Sequence, residues 1–138
     1  MFSGNVRYVL SGLVPVVLLG FGFAGGMATA LAAGDSEVPV VHVTLGDYAF
    51  KPDVITLTAG QPVVLELENV DRITPHNLTL ADEAAGLDLD VDVSGGKTVR
   101  VELTPAVPGT YTFYCSKKLP FMKSHREHGM EGTLTVTP

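Results

Sequence analysis

Residues 97–115, KTVRVELTPAVPGTYTFYC, contain two runs in which apolar and polar side chains alternate. In the first run Val99, Val101 and Leu103 share one face. Pro108 and Gly109 then give a turn signal before the second run begins. Alternation with a period of two residues is what a half-buried antiparallel strand requires. The stretch therefore predicts two β-strands, each with one buried face.

The same period-two pattern extends over most of the chain from Val38 onward. Further strands are predicted at residues 41–45, 54–58, 63–67 and 132–137, with a weaker one at 77–80. About seven to eight short strands in roughly 100 residues are typical of a β-sandwich or barrel. We therefore predict an all-β domain that spans residues 38–138.

Residues 81–93 fit a helix, a loop or an irregular strand. Two groups of potential ligands, the aspartates of this stretch and His42, are better explained as surface residues. Asp88, Asp90 and Asp92 alternate with apolar residues, which spreads their carboxylates along one face, whereas a calcium site needs oxygens that converge. We expect a solvated strand edge there. His42 lies on the polar face of the first strand, and we expect it to be exposed and unliganded.

The first third of the chain is not domain-like. No charged residue lies between Arg7 and Asp35, and the intervening residues are mostly apolar or small. A basic start, an apolar run and small residues near Ala30 and Ala32 predict a secretory signal peptide over residues 1–33. The run is also long enough for an uncleaved membrane anchor. Both interpretations predict an exported domain, periplasmic or equivalent, that is held at the outer face of a membrane only if the segment is uncleaved.

The charge of the domain restricts its partners. Without the leader, eight basic and 15 acidic residues remain. A nucleic-acid partner requires a basic footprint, so this composition argues against one.

Cys115 is the only cysteine of the chain, so it cannot form an intramolecular disulfide. It is therefore an intermolecular link, a metal ligand or a small buried hydrophobe. Because Tyr111, Phe113 and Cys115 alternate, the cysteine is expected on the core face of its strand, where the sandwich opens. Because the chain has a single cysteine, a binuclear copper centre of the oxidase type, which needs two, is excluded.

Soft metal ligands are concentrated near this cysteine. Residues 111–130, YTFYCSKKLPFMKSHREHGM, contain Cys115, His125 and Met130, and His76 lies in a separate PHNL segment. One thiolate, two imidazoles and a thioether suit a single copper ion that cycles between Cu(I) and Cu(II). The conjunction indicates a metal site more strongly than any one of these residues does.

The segment GTYTFYCSKKLPFMKSHREHGMEGTLTV resembles the C-terminal copper loop of the cupredoxins, the plastocyanin-like blue copper proteins. PHNLTL resembles their first-histidine segment, and YAFKPDVITLTAGQPVVLELEN resembles the strands before it. The likeness covers residues 47–136. It implies a Greek-key β-sandwich or barrel of about seven to eight strands, one copper ion and a role in electron transport.

The resemblance also implies roles for individual residues. His76 and His125 resemble the imidazole ligands, Cys115 the thiolate ligand and Met130 the axial thioether. His125 fits better than His128 because its spacing to Met130 matches the family. Asn77 resembles the asparagine whose side chain ties the first-histidine loop to the residue after the cysteine. In this chain that residue is Ser116, and such outer bonds fix the geometry of the ligands.

One departure from the family pattern leaves alternatives open. Nine residues separate Cys115 from His125, where blue copper proteins usually have a handful or fewer. With so long a loop, His128 is an alternative to His125, and Met122 is an alternative to Met130. Glu127 or Glu131 is an alternative source of an oxygen ligand.

These features favour an exported electron carrier over an enzyme. The alternatives are a periplasmic copper chaperone or resistance protein and an open-site red copper enzyme. Residues 117–126 contain four basic residues around three apolar ones, namely Lys117, Lys118, Lys123 and Arg126 around Leu119, Pro120 and Phe121. We predict that this loop docks a redox protein with an acidic surface.

Overall fold

Nine β-strands in two sheets account for most of residues 37–138, the part of the chain that the structure, a computed structural model, describes. The signal peptide or anchor predicted for residues 1–33 lies outside the described residues and stays a prediction. In the described part, no helix has the length and apolar character needed to cross a membrane.

The strands follow the period-two segments of the sequence. In chain order they are β1 (Val40–Gly46), β2 (Ala49–Lys51), β3 (Val54–Thr58), β4 (Val63–Asn69), β5 (His76–Asp82), β6 (Leu87–Val93), β7 (Thr98–Leu103), β8 (Gly109–Tyr114) and β9 (Glu131–Thr137). Two short 3-10 helices, Glu83–Ala85 and Arg126–His128, interrupt the connections.

The strands form two mixed sheets. One sheet has the order β2-β1-β4-β7, and the other has the order β3-β9-β8-β5-β6. The β1–β4 and β3–β9 pairs are parallel, and the remaining pairs are antiparallel. The all-β sandwich is therefore confirmed, with nine strands rather than seven to eight. The additional strands are the three-residue β2 and β6, which occupies the end of the stretch that the sequence left unassigned.

The inward faces of both sheets form one apolar core. Leu65 and Leu67 on β4 and Leu134 and Val136 on β9 are all buried, as the alternation predicts. Phe50 meets Phe113 edge to face, with ring centroids 5.0 Å apart. Full burial of a side chain of this size contributes about 1.5–3 kcal/mol, so the core stabilises the end of β8 that leads into Cys115.

The two features set aside in the sequence lie at the surface. β6 is an edge strand, and its Asp88, Asp90 and Asp92 are exposed along one face, as predicted. His42 is also exposed, and its Nδ1 lies 2.8 Å from Oε1 of Glu66. A hydrogen bond from Arg100 holds the pKa of Glu66 below its usual value.

The sheet topology brings three separate chain segments to one end of the second sheet. β5 pairs antiparallel with β8, so the start of β5 lies beside the end of β8. β9 also pairs antiparallel with β8, with Glu131 opposite Tyr114. His76 begins β5, Cys115 follows β8 and Met130 precedes β9. Residues distant in sequence therefore meet where these strands begin and end.

Candidate metal centre

Three buried side chains bring a sulfur and two nitrogens together at this end of the sandwich. Cys115 Sγ lies 3.4 Å from Nδ1 of His125 and 3.9 Å from Nδ1 of His76. The two Nδ1 atoms are 3.1 Å apart. All three donor atoms lie within 4.8 Å of one another. The cluster therefore has the donor types and the spacing to hold one soft metal ion.

The fourth predicted ligand lies next to this cluster. Met130 is fully buried. Its backbone N–H donates to the carbonyl of His125 at 3.1 Å, and its carbonyl accepts from the N–H of Cys115 at 3.0 Å. The backbone of Met130 is thus bonded to both neighbouring members of the cluster.

Asn77 connects the two loops that carry His76 and Cys115. Its side-chain oxygen accepts the Ser116 N–H at 2.8 Å, and its amide nitrogen lies 2.7 Å from the Ser116 hydroxyl. Its backbone N–H points at Cys115 Sγ at 3.5 Å. This N–H would stabilise negative charge on the sulfur. Asn77 is itself buried, so the Asn77–Ser116 tie expected from the resemblance is present and shielded from water.

The long loop after Cys115 is closed by a backbone hydrogen bond. The His125 N–H donates to the carbonyl of Lys117 at 2.9 Å. Residues 118–124 therefore leave the site and return to it as a separate projection, which we call the excursion. His125 re-enters beside Cys115 as it would after a short loop, so the insertion does not pull the histidine away from the sulfur.

The alternative ligands lie away from the cluster. Met122 is about half exposed, at 52%. The exposed His128 stacks on Tyr48 with ring centroids 4.5 Å apart. Glu127 accepts hydrogen bonds from the backbone and hydroxyl of Ser124, and Glu131 pairs with Arg126. Within residues 37–138, neither His128 nor Glu127 nor Glu131 joins the cluster of His76, Cys115 and His125.

Sequence analysis missed Asp71, which contacts the His76 ring on the side away from the cluster, and Asn69, which positions Asp71. Asp71 Oδ2 lies 2.7 Å from Nε2 of His76. Asn69 organises the intervening loop, because its side-chain oxygen accepts the Asp71 N–H and its amide donates to the carbonyls of Thr74 and Val93. The available signal was the Asn-x-Asp pattern shortly before a candidate histidine ligand.

Burial sets the charge of the metal-free cluster. It raises the pKa of the Cys115 thiol. Burial also lowers the pKa of His125, and the nearby His76 lowers it further. The hydrogen bond to His76 lowers the pKa of Asp71. At neutral pH the cluster is therefore a neutral thiol beside a neutral His125 imidazole, with a carboxylate behind the other ring.

This donor set fits a metal ion. If Nε2 of His76 carries the proton that Asp71 accepts, then Nδ1 of His76 presents a lone pair to the cluster. Nδ1 of His125 faces it at 3.1 Å. In the metal-free protein a proton on Nδ1 of His125 can bridge the two rings, and a metal ion in its place would be bound by both nitrogens and the sulfur. Imidazole and thiolate donors in this arrangement are typical of copper sites.

Comparisons with known proteins agree with the fold and the donor set. The cupredoxin-like domain model matches residues 15–136. The plastocyanin of the fern Dryopteris crassirhizoma is 32% identical over 103 residues, which are 67% of this chain and 91% of the relative. The solved structure of auracyanin B matches with a TM-score of 0.59 and 26% identity, over 72% of this chain and 89% of that one.

The chain belongs to the cupredoxin-like family, and among its members it is plastocyanin-like. The cofactor of such a protein is one copper ion, which the His76, Cys115 and His125 cluster could bind.

The fold by itself does not separate carriers from enzymes. A copper-containing nitrite reductase from Thermus scotoductus also matches, with a TM-score of 0.51 and 22% identity, over 73% of this chain and 23% of the enzyme. At this identity the likeness concerns the fold alone. The distinction has to come from the site.

Proposed function

We propose that the protein is a mononuclear copper electron carrier, with the metal bound by His76, Cys115, His125 and Met130. The observation that carries the proposal is the buried cluster of two imidazole nitrogens and one sulfur within 4.8 Å. A carrier needs a metal that changes its charge by one unit and returns. Copper held by a thiolate, two imidazoles and a weak thioether does this.

The supports of the cluster suit rapid electron transfer. His76 is held from behind by Asp71, and Cys115 is tied to the first-histidine loop through Asn77 and Ser116. The main chain of His125 is hydrogen-bonded to Lys117 and Met130. Ligands fixed in this way move little when the metal changes oxidation state, which keeps the reorganisation small.

The cellular site that we propose is outside the cytoplasm, in a periplasm or an equivalent compartment. The apolar run before Asp35 supports this, because it reads as an export signal or anchor.

We further propose that the excursion is the docking surface. Phe121 at its tip is fully exposed, and Leu119 and Met122 are more than half exposed. Isolated exposed apolar residues are common, but three of them in a four-residue stretch mark a contact surface. Because the excursion is anchored at His125, a protein bound there would stand close to the metal.

Two lysines dominate the charge of this surface. Lys117 pairs with Asp92 at 2.6 Å, and Arg126 lies over the Tyr114 ring and pairs with Glu131. Lys118 and Lys123 form no ion pair within residues 37–138. These two side chains would attract an acidic redox partner and hasten encounter.

Neither alternative function gains support from a specific contact. An open-site enzyme with an oxygen ligand would need Glu127 or Glu131 at the metal, and both carboxylates are engaged at the surface. A chaperone that exploits Met122 and His128 would need them beside the copper donors, and both are directed elsewhere.

The colour of the copper-loaded protein tests the proposal. We expect an intense thiolate-to-copper charge-transfer band that disappears in Cys115→Ser and that azide or nitrite leaves unchanged. Ser116→Ala, which retains the thiol, is the control and should remain coloured. A colourless parent that binds Cu(II) no better than Cys115→Ser would refute a copper centre, and a band shifted by azide would indicate an open site.

A further inference from the structure

The loop between β4 and β5 places a carboxylate behind His76. Asp71 Oδ2 lies 2.7 Å from Nε2 of His76, on the side of the ring opposite Nδ1. His76 is 1% exposed, and the Asp71 side chain is 31% exposed. The ring therefore links a buried metal-facing nitrogen to a partly exposed carboxylate.

The position of Asp71 is itself fixed by its neighbours. The N–H of Asp71 donates to the Asn69 side chain at 3.0 Å. Its Oδ2 also lies 3.3 Å from the backbone N–H of Asp47. Asn69 is buried, and its amide donates to Thr74 and Val93 carbonyls. Hydrogen bonds thus fix both the backbone of Asp71 and one of its carboxylate oxygens beside the ring.

The second histidine has different surroundings. In the described part of the chain, the hydrogen-bonding contacts of the His125 side chain are those of Nδ1, which faces His76 and Cys115. The edge of its ring meets Tyr48, with centroids 5.1 Å apart. Only one of the two imidazoles therefore has a carboxylate behind it.

We propose that Asp71 is a positioning residue that keeps the proton of His76 on Nε2, leaves Nδ1 free for copper and lowers the reduction potential of the centre. This inference rests on the proposed copper site. A carboxylate that accepts the far N–H of a ligating imidazole fixes its tautomer and makes the metal-facing nitrogen more basic. A more basic nitrogen and a nearby negative charge stabilise Cu(II) more than Cu(I). The electron enters and leaves at copper, and the proton stays on Nε2 in both oxidation states.

The potential of matched variants tests the electronic part. Asp71→Asn keeps the size and one acceptor oxygen but loses the charge. We expect the ratio of Cu(II) to Cu(I) affinity to fall about tenfold, which for a one-electron couple is a rise of about 59 mV. Asp71→Leu, which also loses the acceptor, should raise the potential further.

Asp47→Asn is the charge-matched control. Asp47 has φ 54°, a conformation that asparagine also tolerates, and its carboxylate makes no hydrogen bond to His76. We expect this variant to change the affinity ratio less than threefold. An equal shift in Asp71→Asn and Asp47→Asn would reduce Asp71 to one surface charge among others and overturn the proposal.

A measurement on the metal-free parent tests the positioning part without copper and without a variant that must fold. Long-range proton–nitrogen NMR correlations identify which ring nitrogen of each histidine carries hydrogen. We expect the proton of His76 on Nε2, and a proton on Nδ1 would contradict the inference. If the parent shows no thiolate–copper band, the proposed function fails, while the tautomer still decides whether Asp71 orients the ring.

Discussion

Two histidines and two methionines lie between Lys117 and Glu131. In the structure, one histidine and one methionine are buried, and the other two are exposed. His125 and Met130, which we call the buried pair, are both at most 5% exposed. Met122 and His128, the surface pair, are both exposed. The difference teaches that residue type and proximity to Cys115 do not decide which side chains are buried beside the sulfur. The hydrogen bonds that return the backbone to the sheet accompany the buried pair.

The buried pair is part of a continuous set of backbone bonds. Lys117 receives the His125 N–H, His125 receives the Met130 N–H and Met130 receives the Cys115 N–H. The surface pair makes only local backbone bonds: the Met122 N–H donates to the carbonyl of Leu119, and the His128 N–H donates to the carbonyls of Ser124 and His125. Met122 projects with the excursion, and His128 ends the 3-10 helix Arg126–His128. Five predictions, in order of decreasing effect, test this contrast.

Replacement of each histidine by alanine should produce the largest difference in copper affinity. His125→Ala removes a donor, and we expect Cu(II) affinity to fall at least about 100-fold, since loss of even an outer partner costs about 10–100-fold. His128→Ala should change the affinity less than about threefold. Competition titration against a chelator of known affinity measures both. The reverse order of effects would assign the second imidazole to His128.

The pH dependence of copper binding should report the buried thiol. Burial raises the pKa of Cys115 and lowers that of His125. Near neutral pH the thiol must therefore release its proton to bind copper, whereas His125 is already neutral. Apparent Cu(II) affinity should rise about tenfold per pH unit between about pH 7 and 8, with one proton released. A slope of zero would mean that Cys115 is not a ligand.

The lowered pKa of His125 also has a consequence for metal-free stability. A folded-state pKa below the unfolded value of about 6.5 gives stability that is present above that pH and lost as the pH falls through the folded value. Chemical denaturation of the metal-free protein should therefore show a decline on acidification below about pH 6.5, and His125→Ala should weaken the decline.

Replacement of each methionine by glutamine should have a smaller effect, seen in the reduction potential. Met130→Gln replaces a thioether with an oxygen donor, which favours Cu(II), so we expect the reduction potential to fall by about 59 mV for a tenfold change in relative affinity. Met122→Gln is the matched surface control and should leave the potential and the spectrum unchanged. If Met122→Gln shifted them and Met130→Gln did not, the axial assignment would be wrong.

The excursion should affect encounter rates and leave the centre unchanged. Lys118→Gln with Lys123→Gln should slow oxidation by the anionic probe hexacyanoferrate(III) a few-fold at low salt, because rim charges act on association. The effect should shrink near 0.15 M salt, where screening acts over about 8 Å. Lys51→Gln with Arg100→Gln removes the same charge elsewhere and is the control in stopped-flow measurements. Equal slowing by both double variants would mean that the excursion is not a docking surface.

The sequence predicted the sandwich because alternation reports directly which side chains face the core. It was ambiguous for residues 81–93, where the short 3-10 helix Glu83–Ala85 interrupts the period before β6 begins. It also missed β2, which is three residues long and follows Asp47 and Tyr48, both in the left-handed region of φ. Neither interruption has a periodicity that a pattern could detect.

For the candidate site, the sequence predicted the donor types, and only the spacing shared with the family favoured His125 and Met130 over His128 and Met122. His125 is buried and His128 is exposed because the backbone N–H of His125 donates to the carbonyl of Lys117. This contact spans the excursion, and no local sequence pattern encodes it. Asp71 was missed for a similar reason, since its loop has no regular period and its contact with His76 depends on how Asn69 folds that loop.

The hydrogen bond between Lys117 and His125 also makes the length of the excursion adjustable. Its two ends are fixed by the same bond whatever the chain does between them. For a flexible loop, each doubling of length costs only about 0.6 kcal/mol of closure entropy. Residues 118–124 are therefore a site where a peptide that recognises a chosen partner can be inserted beside the proposed copper centre while His76, Cys115 and His125 keep their places.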